Sequence, residues 1–219
     1  MATKHPRVLA KSDQSQPAHT DEQWRLFLAI ELPPAIQQLI AAFQAELTGL
    51  EQHLRLVDPS LAHVTLHFMG NVLPERAELL GYTLPDLARR QPQLKLEIDR
   101  VGVFPPKRAP RVLWLGIGGD SKALIHLHYS LALTLETQGF DVESKRYHPH
   151  VTVARVREGA PESIGLRLTE HSLTFPQSES FLTTERAFNA TQIVLMRSHL
   201  TKQGPRYEKL RTVSLGTQS

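Results

Sequence analysis

Two short stretches, His63-Val64-Thr65-Leu66 and His150-Val151-Thr152-Val153, carry the pattern that decides how this chain folds. An apolar stretch from Leu26 to Ile30 also has a counterpart, from Leu113 to Ile117. Position 150 is 87 residues after 63, and position 113 is 87 residues after 26. Two separate matches at one offset indicate an internal repeat. We therefore predict one unit that occurs twice, namely a strand, a helix and a strand bearing His-x-Thr.

The remaining apolar patterns predict strands and helices in alternation. Pro33-Pro34 precede an amphipathic helix, because apolar residues follow at steps of three, four and seven as far as Leu50. Pro74 begins a second helical stretch, which Pro85 is expected to break or bend. The other predicted elements are a helix at about 121–138 and strands at about 24–30, 61–69, 94–98, 112–117, 150–156, 181–187, 193–199 and 207–214.

The composition of the chain excludes several classes of protein. Its 219 residues include no cysteine, which excludes disulfides, zinc ribbons, iron–sulfur ligation and thiol catalysis. No apolar run reaches the roughly 18–20 residues of a membrane span, and the N-terminus lacks the apolar core of a signal peptide, so we expect a cytoplasmic protein. Residues 1–22 lack apolar periodicity and are expected to form a flexible extension before a single domain at 23–219.

Charge is distributed unevenly along the chain. Residues 1–99 carry 9 basic and 12 acidic side chains, whereas residues 100–219 carry 16 and 10. The second half is therefore the better place to look for contact with an anion. The basic side chains that could form a rim attracting RNA phosphates are Lys107, Arg108, Arg111, Lys145, Arg146 and Arg157.

Each His-x-Thr pair puts an imidazole and a hydroxyl on the same face of its strand, because side chains two residues apart point the same way. If a pseudo-twofold axis relates the halves, the two pairs face each other across a cleft. Imidazole titrates near pH 6.5, so one histidine can act as base and the other as acid. Threonine hydroxyls can hold the non-bridging oxygens of a phosphate. The combination suits displacement at phosphorus, with a cyclic phosphodiester as a suitable substrate.

The paired motifs resemble those of the 2H phosphoesterase superfamily. Further stretches resemble one branch of it, the RNA 2',3'-cyclic phosphodiesterases, which are also called 2'-5' RNA ligases. The resemblance covers about residues 24–215. The stretches that carry it are Arg25 to Ile30, His63 to Gly70, Val112 to Gly116, His148 to Arg155 and Gly204 to Tyr207.

This resemblance implies a bilobal α+β fold, in which two antiparallel sheets with outer helices are related by a pseudo-twofold axis around a central cleft. It implies opening of a 2',3'-cyclic phosphate to a 2'-phosphate without a metal or cofactor. His63 would protonate the departing 3' oxygen and His150 would activate water. Thr65 and Thr152 would bind the phosphate. We expect the anion-binding cleft to raise the pKa of the acid, His63.

Two more residues are candidates for the site. Arg155 matches a phosphate-contacting arginine of the family and replaces Phe68 in the repeat. It lies five residues after His150, so in a regular strand it would point away from the cleft and needs a strand end or a bulge to reach it. Tyr147 is a candidate for stacking on a base.

The sequence leaves other functions open. The reverse reaction, 2'-5' RNA ligation, would use the same residues, and the substrate could be RNA or a small cyclic nucleotide. A non-catalytic RNA-binding module is disfavoured, since binding alone would favour arginine or lysine over paired histidines. A metal site among His67, His126, His128 and His148 is disfavoured, because neither motif has an aspartate or glutamate within a few residues. We expect a monomer that acts on ends bearing a 2',3'-cyclic phosphate and does not bind membranes.

Overall fold

The computed structural model describes residues 22–106, 109–142, 146–202 and 204–216. Apart from Glu22, the predicted extension at 1–22 lies outside these residues, as do Lys107, Arg108 and Lys145 of the predicted rim. Across the described ranges, no helix is long and apolar enough to cross a membrane.

Within the described residues, nine strands and five α-helices form the α+β fold that the sequence predicted. The strands are β1 (Trp24–Glu31), β2 (Leu54–Leu56), β3 (His63–Val72), β4 (Leu94–Phe104), β5 (Val112–Gly119), β6 (His150–Val156), β7 (Ala187–Ala190), β8 (Gln192–Thr201) and β9 (Gly204–Ser214). The helices are α1 (Pro34–Ala45), α2 (Pro74–Arg89), α3 (Ser121–Thr137), α4 (Ser163–Thr174) and α5 (Glu179–Thr183).

The structure corrects the sequence prediction in two places. Residues 179–183 form helix α5, and the strand expected at 181–187 begins only at Ala187. The α5 turn buries Phe181 to 3% exposure against Phe175, at a distance of 5.3 Å between ring centroids. Helix α2 also continues through Pro85 instead of ending there. Tertiary packing stabilises the helix across the backbone hydrogen bond that the proline cannot form, because apolar side chains are buried both before and after it. The buried residues of α2 are Ala77, Leu80, Leu84 and Ala88.

All pairings between the strands are antiparallel, in the order β7-β4-β5-β6-β3-β1-β8-β9, with β2 also pairing with β6. The two predicted sheets are therefore joined at β3 and β6, through the pair Val64 and Val151. Both valines are fully buried. Since alternate residues face opposite ways, the residues on either side of each valine face away from the core. Continuing the register by one residue puts His63 opposite Thr152 and Thr65 opposite His150.

Both His-x-Thr strands have an irregularity directly after the motif. The pairing of β3 with β1 skips Leu66, and the pairing of β6 with β5 skips Val153. The two skipped residues are 87 positions apart, as in the sequence repeat. The register between the first strand and the His-x-Thr strand differs by two residues between the halves. Ala29 pairs with Thr65, and the repeat would place residue 116 opposite Thr152, but Trp114 occupies that position. A slip of two preserves which side chains face the core.

Candidate active site

The five predicted residues of the motifs lie around one cavity of about 360 Å³: His63, Thr65, His150, Thr152 and Arg155. Arg55, Asp58 and Tyr207 also line this cavity. Its volume lies at the lower end of the range for small-ligand sites. The cavity thus brings the imidazoles and threonine hydroxyls of β3 and β6 together with two guanidinium groups, that of Arg155 on β6 and that of Arg55 on β2.

The ring of His63 is held by a backbone carbonyl just before β3 and by two aromatic neighbours. Its Nδ1 lies 2.8 Å from the carbonyl oxygen of Leu61. Because a carbonyl only accepts, Nδ1 carries the proton and Nε2 is the nitrogen available for proton transfer. Phe27 stacks on the ring at 4.9 Å between centroids, and Tyr207 meets it edge-on at 5.3 Å.

His150 has the same arrangement in the second half. Its Nδ1 lies 2.7 Å from the carbonyl oxygen of His148, again two residues earlier in the chain. Phe104 and Trp114 meet the ring edge-on, at 5.3 and 6.1 Å between centroids. Both histidines therefore present Nε2 from a ring held by backbone and aromatic contacts.

Burial lowers the pKa of both imidazoles. Their hydrogen bonds to Leu61 and His148 act in the opposite direction, and the charge of His150 lowers the pKa of His63 further. The expected rise in the pKa of His63 is therefore wrong, since removal from water outweighs the effects that raise it.

The two histidines differ in the charges near them. Glu31 raises the pKa of His63, whereas Arg155 and His148 lower the pKa of His150. Glu31 and Arg155 thus act in opposite directions on the rings beside them, while burial, the largest effect, lowers the pKa of both.

Arg155 reaches the cavity because β6 is irregular at Val153. Val153 and Ala154 are both fully buried, and Arg155 after them is exposed. The extra residue reverses the alternation, so Arg155 lies on the same side as His150 and Thr152. In the first half the same irregularity buries His67 and exposes Phe68, and Arg25 lies 4.6 Å above the Phe68 ring.

Tyr147 lies beside the cavity and not in it. Its ring stacks on His128 at 4.0 Å between centroids, and its hydroxyl donates to the carbonyl oxygen of Thr65 at 2.9 Å. His128 stacks in turn on His67, also at 4.0 Å. Tyr147 also lines a second cavity of about 660 Å³, together with Phe68, Phe104 and His150. The predicted stacking on a base therefore remains a prediction for this second cavity.

The other histidines considered for a metal site are used differently. His67 Nε2 lies 2.7 Å from the carbonyl oxygen of His128, and His128 Nδ1 lies 2.8 Å from that of Leu66. No group of three or more histidine, cysteine, aspartate or glutamate side chains that could hold a metal occurs in the described part of the chain.

Sequence reasoning missed three residues of the site. Phe27 and Tyr207 lie in stretches that carry the family resemblance, but an aromatic residue in a predicted strand is expected to be buried in the hydrophobic core. Arg55 lies in a strand of three residues, too short to show a pattern. The predicted basic rim is divided in the structure, since Arg111 and Arg157 line a different cavity from Arg146.

Comparison with known proteins gives consistent matches. A family model described as the 2'-5' RNA ligase superfamily matches residues 32–201. The RNA 2',3'-cyclic phosphodiesterase of Archaeoglobus fulgidus is 31% identical over 187 residues, which cover 85% of this chain and 98% of the relative. The RNA 2',3'-cyclic phosphodiesterase of Aeropyrum pernix is 30% identical over 159 residues, which cover 72% of this chain and 84% of the relative. The crystal structure of E. coli LigT with 3'-AMP is similar at a TM-score of 0.65 and 27% identity, over 89% of this chain and 99% of LigT.

Proposed function

The chain belongs to the 2'-5' RNA ligase superfamily, and on this basis we propose that it hydrolyses the 2',3'-cyclic phosphate of RNA ends or nucleotides to a 2'-phosphate. The observation that carries the proposal is the pair of histidines in one cavity, each with Nδ1 held by a carbonyl and Nε2 available. The two curated relatives above are named for this reaction. Binding alone gives no reason to place two such imidazoles together.

His63 is the general acid and His150 the general base in this proposal. Glu31 next to His63 favours the imidazolium that an acid needs, and Arg155 next to His150 favours the neutral ring that a base needs. Positioned groups of this kind each contribute typically ~10²–10⁴-fold to the rate. The family resemblance implies the same assignment.

The reaction is a single displacement at phosphorus. His150 Nε2 takes a proton from water, whose oxygen forms a bond to phosphorus. The bond from phosphorus to the 3' oxygen breaks, and His63 Nε2 gives its proton to that oxygen. His63 ends neutral and His150 protonated, and exchange with solvent restores both.

The threonine hydroxyls and a guanidinium hold the phosphate during this step. Thr65 and Thr152 line the cavity beside the histidines and can donate to the non-bridging oxygens. Arg155 supplies the positive charge that offsets the charge on those oxygens. Acid, base and charge stabilisation are thus all assigned to side chains, so we propose that the reaction needs no metal.

The second cavity is the proposed place for the nucleobase. It shares Thr65 and His150 with the first cavity, and it adds the aromatic rings of Phe68, Phe104 and Tyr147. Unstacked bases bind to such aromatic surfaces. A nucleotide whose phosphate lies between the histidines can therefore extend its base towards these rings.

Incubation of the protein with a 2',3'-cyclic nucleotide in EDTA tests the proposal directly. We expect hydrolysis in the chelator and a product that carries only a 2'-phosphate. A 3'-phosphate product would contradict the assigned leaving oxygen. Loss of activity in EDTA that one divalent ion restores would contradict the metal-free mechanism.

Ligation is the second candidate, because the matched family is described as 2'-5' RNA ligases. It would use the same groups, with a 5'-hydroxyl replacing water as the attacking group. Adding an RNA with a 5'-hydroxyl to the same reaction distinguishes the two. Formation of a 2'-5' bond at a rate comparable to hydrolysis would favour ligation.

A further inference from the structure

Arg55 and Arg155 are opposite each other in the sheet. They are Cα partners in the antiparallel pairing of β2 with β6, and both side chains are exposed and line the cavity of the histidines. Residues directly opposite in such a pair have Cβ atoms about 4.5–5.5 Å apart. Two guanidinium groups therefore begin from neighbouring points on one wall of this cavity.

Two like charges in this arrangement repel each other, which destabilises the strand pair. In the parts of the chain that the structure describes, neither arginine has a carboxylate within ion-pair distance. The acidic residue among those lining the cavity is Asp58, whose carboxylate accepts from the backbone and hydroxyl of Ser60 at 2.9 and 2.7 Å. The charge of the two arginines is therefore left for a bound anion.

The two arginines lie on different strands of the cavity wall, Arg155 on β6 with His150 and Arg55 on β2. Arg155 is close enough to lower the pKa of His150, and it acts in the same way on Tyr207. It thus belongs to the phosphate that reacts. Arg55 faces Arg155 from β2, which pairs with the same edge of β6 as β3, and residue 155 lies four positions along β6 from Val151 at the junction with β3.

We infer that Arg55, beside Arg155, binds a second phosphate of the substrate, namely the internucleotide phosphate on the 5' side of the terminal nucleotide. The inference rests on the proposed function. An RNA that ends in a 2',3'-cyclic phosphate carries such a phosphate, whereas a cyclic mononucleotide with a 5'-hydroxyl does not. Arg55 is therefore the residue by which the cavity selects RNA ends over mononucleotides.

Equilibrium binding of product-like ligands tests this without depending on catalysis. The probes are adenosine 2'-phosphate, adenosine 2',5'-bisphosphate, and a diadenosine dinucleotide that ends in a 2'-phosphate, titrated into wild type and Arg55→Gln. We expect wild type to bind both ligands with the second phosphate about tenfold or more tightly than adenosine 2'-phosphate, as for a charge-assisted contact. Arg55→Gln should lose this preference.

Salt dependence gives a second readout of the same contact. The slope of log binding constant against log salt for the dinucleotide should become shallower by ~0.7 in Arg55→Gln, as for one lost contact to a single strand. Arg90→Gln is the matched control, because Arg90 is exposed at the C-terminal end of α2 and does not line the cavity. It should keep both the preference and the slope.

An unchanged preference in Arg55→Gln would overturn the inference. A second result would also overturn it, namely that Arg55→Gln no longer prefers the bisphosphate but still prefers the dinucleotide. Arg55 would then bind a terminal phosphate and not the internucleotide phosphate of an RNA chain. Hydrolysis of the corresponding cyclic substrates is measured separately. If hydrolysis fails while the dependence of binding on Arg55 remains, the proposed reaction is wrong and the second phosphate site still holds.

Discussion

Glu31 is the Cα partner of His63 in the pairing of β1 with β3, and its carboxylate raises the pKa of that imidazole against the larger effect of burial. The carboxylate also pairs with Lys209 at 2.7 Å. The charged groups that shift the pKa of His150 in the described part of the chain are His148 and Arg155, and both lower it. This asymmetry between two otherwise similar half-sites is the structural basis for assigning the acid and the base.

Glu31→Gln should move one limb of the pH profile. The profile of kcat/KM should be bell-shaped, since the base must be neutral while the acid is protonated. Loss of the carboxylate removes an effect that raises the pKa of His63, so the alkaline limb should move to lower pH. The limb at low pH, which reports the base His150, should stay in place. Glu78→Gln, on the exposed face of α2, is the control. If the limb at low pH moves instead, His63 is the base and His150 is the acid.

His63→Ala and His150→Ala should each reduce kcat/KM by at least ~10²-fold, because each removes a proton-transfer group. The double variant should lose little more than the worse single variant, since the two groups act as a unit. Steady-state rates on a 2',3'-cyclic nucleotide measure this. His126→Ala removes an exposed histidine of α3 and should keep full activity. Full activity in either site variant would exclude the paired mechanism.

Thr65→Val and Thr152→Val should weaken phosphate binding while the shape of the side chain is preserved. A hydrogen bond to a charged group contributes about 1.5–3 kcal/mol, so kcat/KM should fall by roughly 10- to 150-fold for each variant. Neither limb of the pH profile should move, because the hydroxyls do not titrate in this range. A profile displaced along the pH axis would mean that a threonine acts through a histidine and not on the phosphate.

The stacked rings of His67, His128 and Tyr147 should make folding stability depend on pH. Burial lowers the pKa of His67 to about 4 and also lowers that of His128. The unfolded chain therefore binds more protons below pH ~6.5, and the free energy of unfolding should decrease as the pH falls from there towards 4. His67→Phe keeps the ring stack without the titration and should flatten this dependence. Urea unfolding at a series of pH values measures it, and an equally steep decrease in the variant would exclude His67 as a source.

The strands that build the site could be predicted from the sequence because their signal is local. Alternation around His63 and His150 fixed which side chains share a face, and buried Val64 and Val151 confirm that face. The position of Arg155 could not be decided in this way. It depends on a skipped residue, Val153, whose signal lies in the pairing with β5 and not in β6 itself.

The errors have a common physical origin. Among the side chains of helix α4 that the structure describes, Ile164 and Leu168 are the buried apolar ones, which is too weak a pattern to predict a helix. The strand expected around Phe181 was wrong because one aromatic side chain finds its place in the core through a helical turn. Both segments pack against elements that are distant in the chain, α4 against β4 and α5 against α1, so a local pattern does not reveal their conformation.

Phe68 and Arg155 occupy equivalent places in the two halves, and they are different residues. Two identical copies of one half, associated as a symmetric dimer, would carry the same side chain at both places. They would also surround both histidines with the same charges, and neither ring would be marked as donor or acceptor of the proton. Joining the halves in one polypeptide removes that constraint. Mutation can then alter one side alone, as at Phe68 and Arg155, so a scaffold with near-twofold symmetry acquires a cleft whose two walls carry different charges.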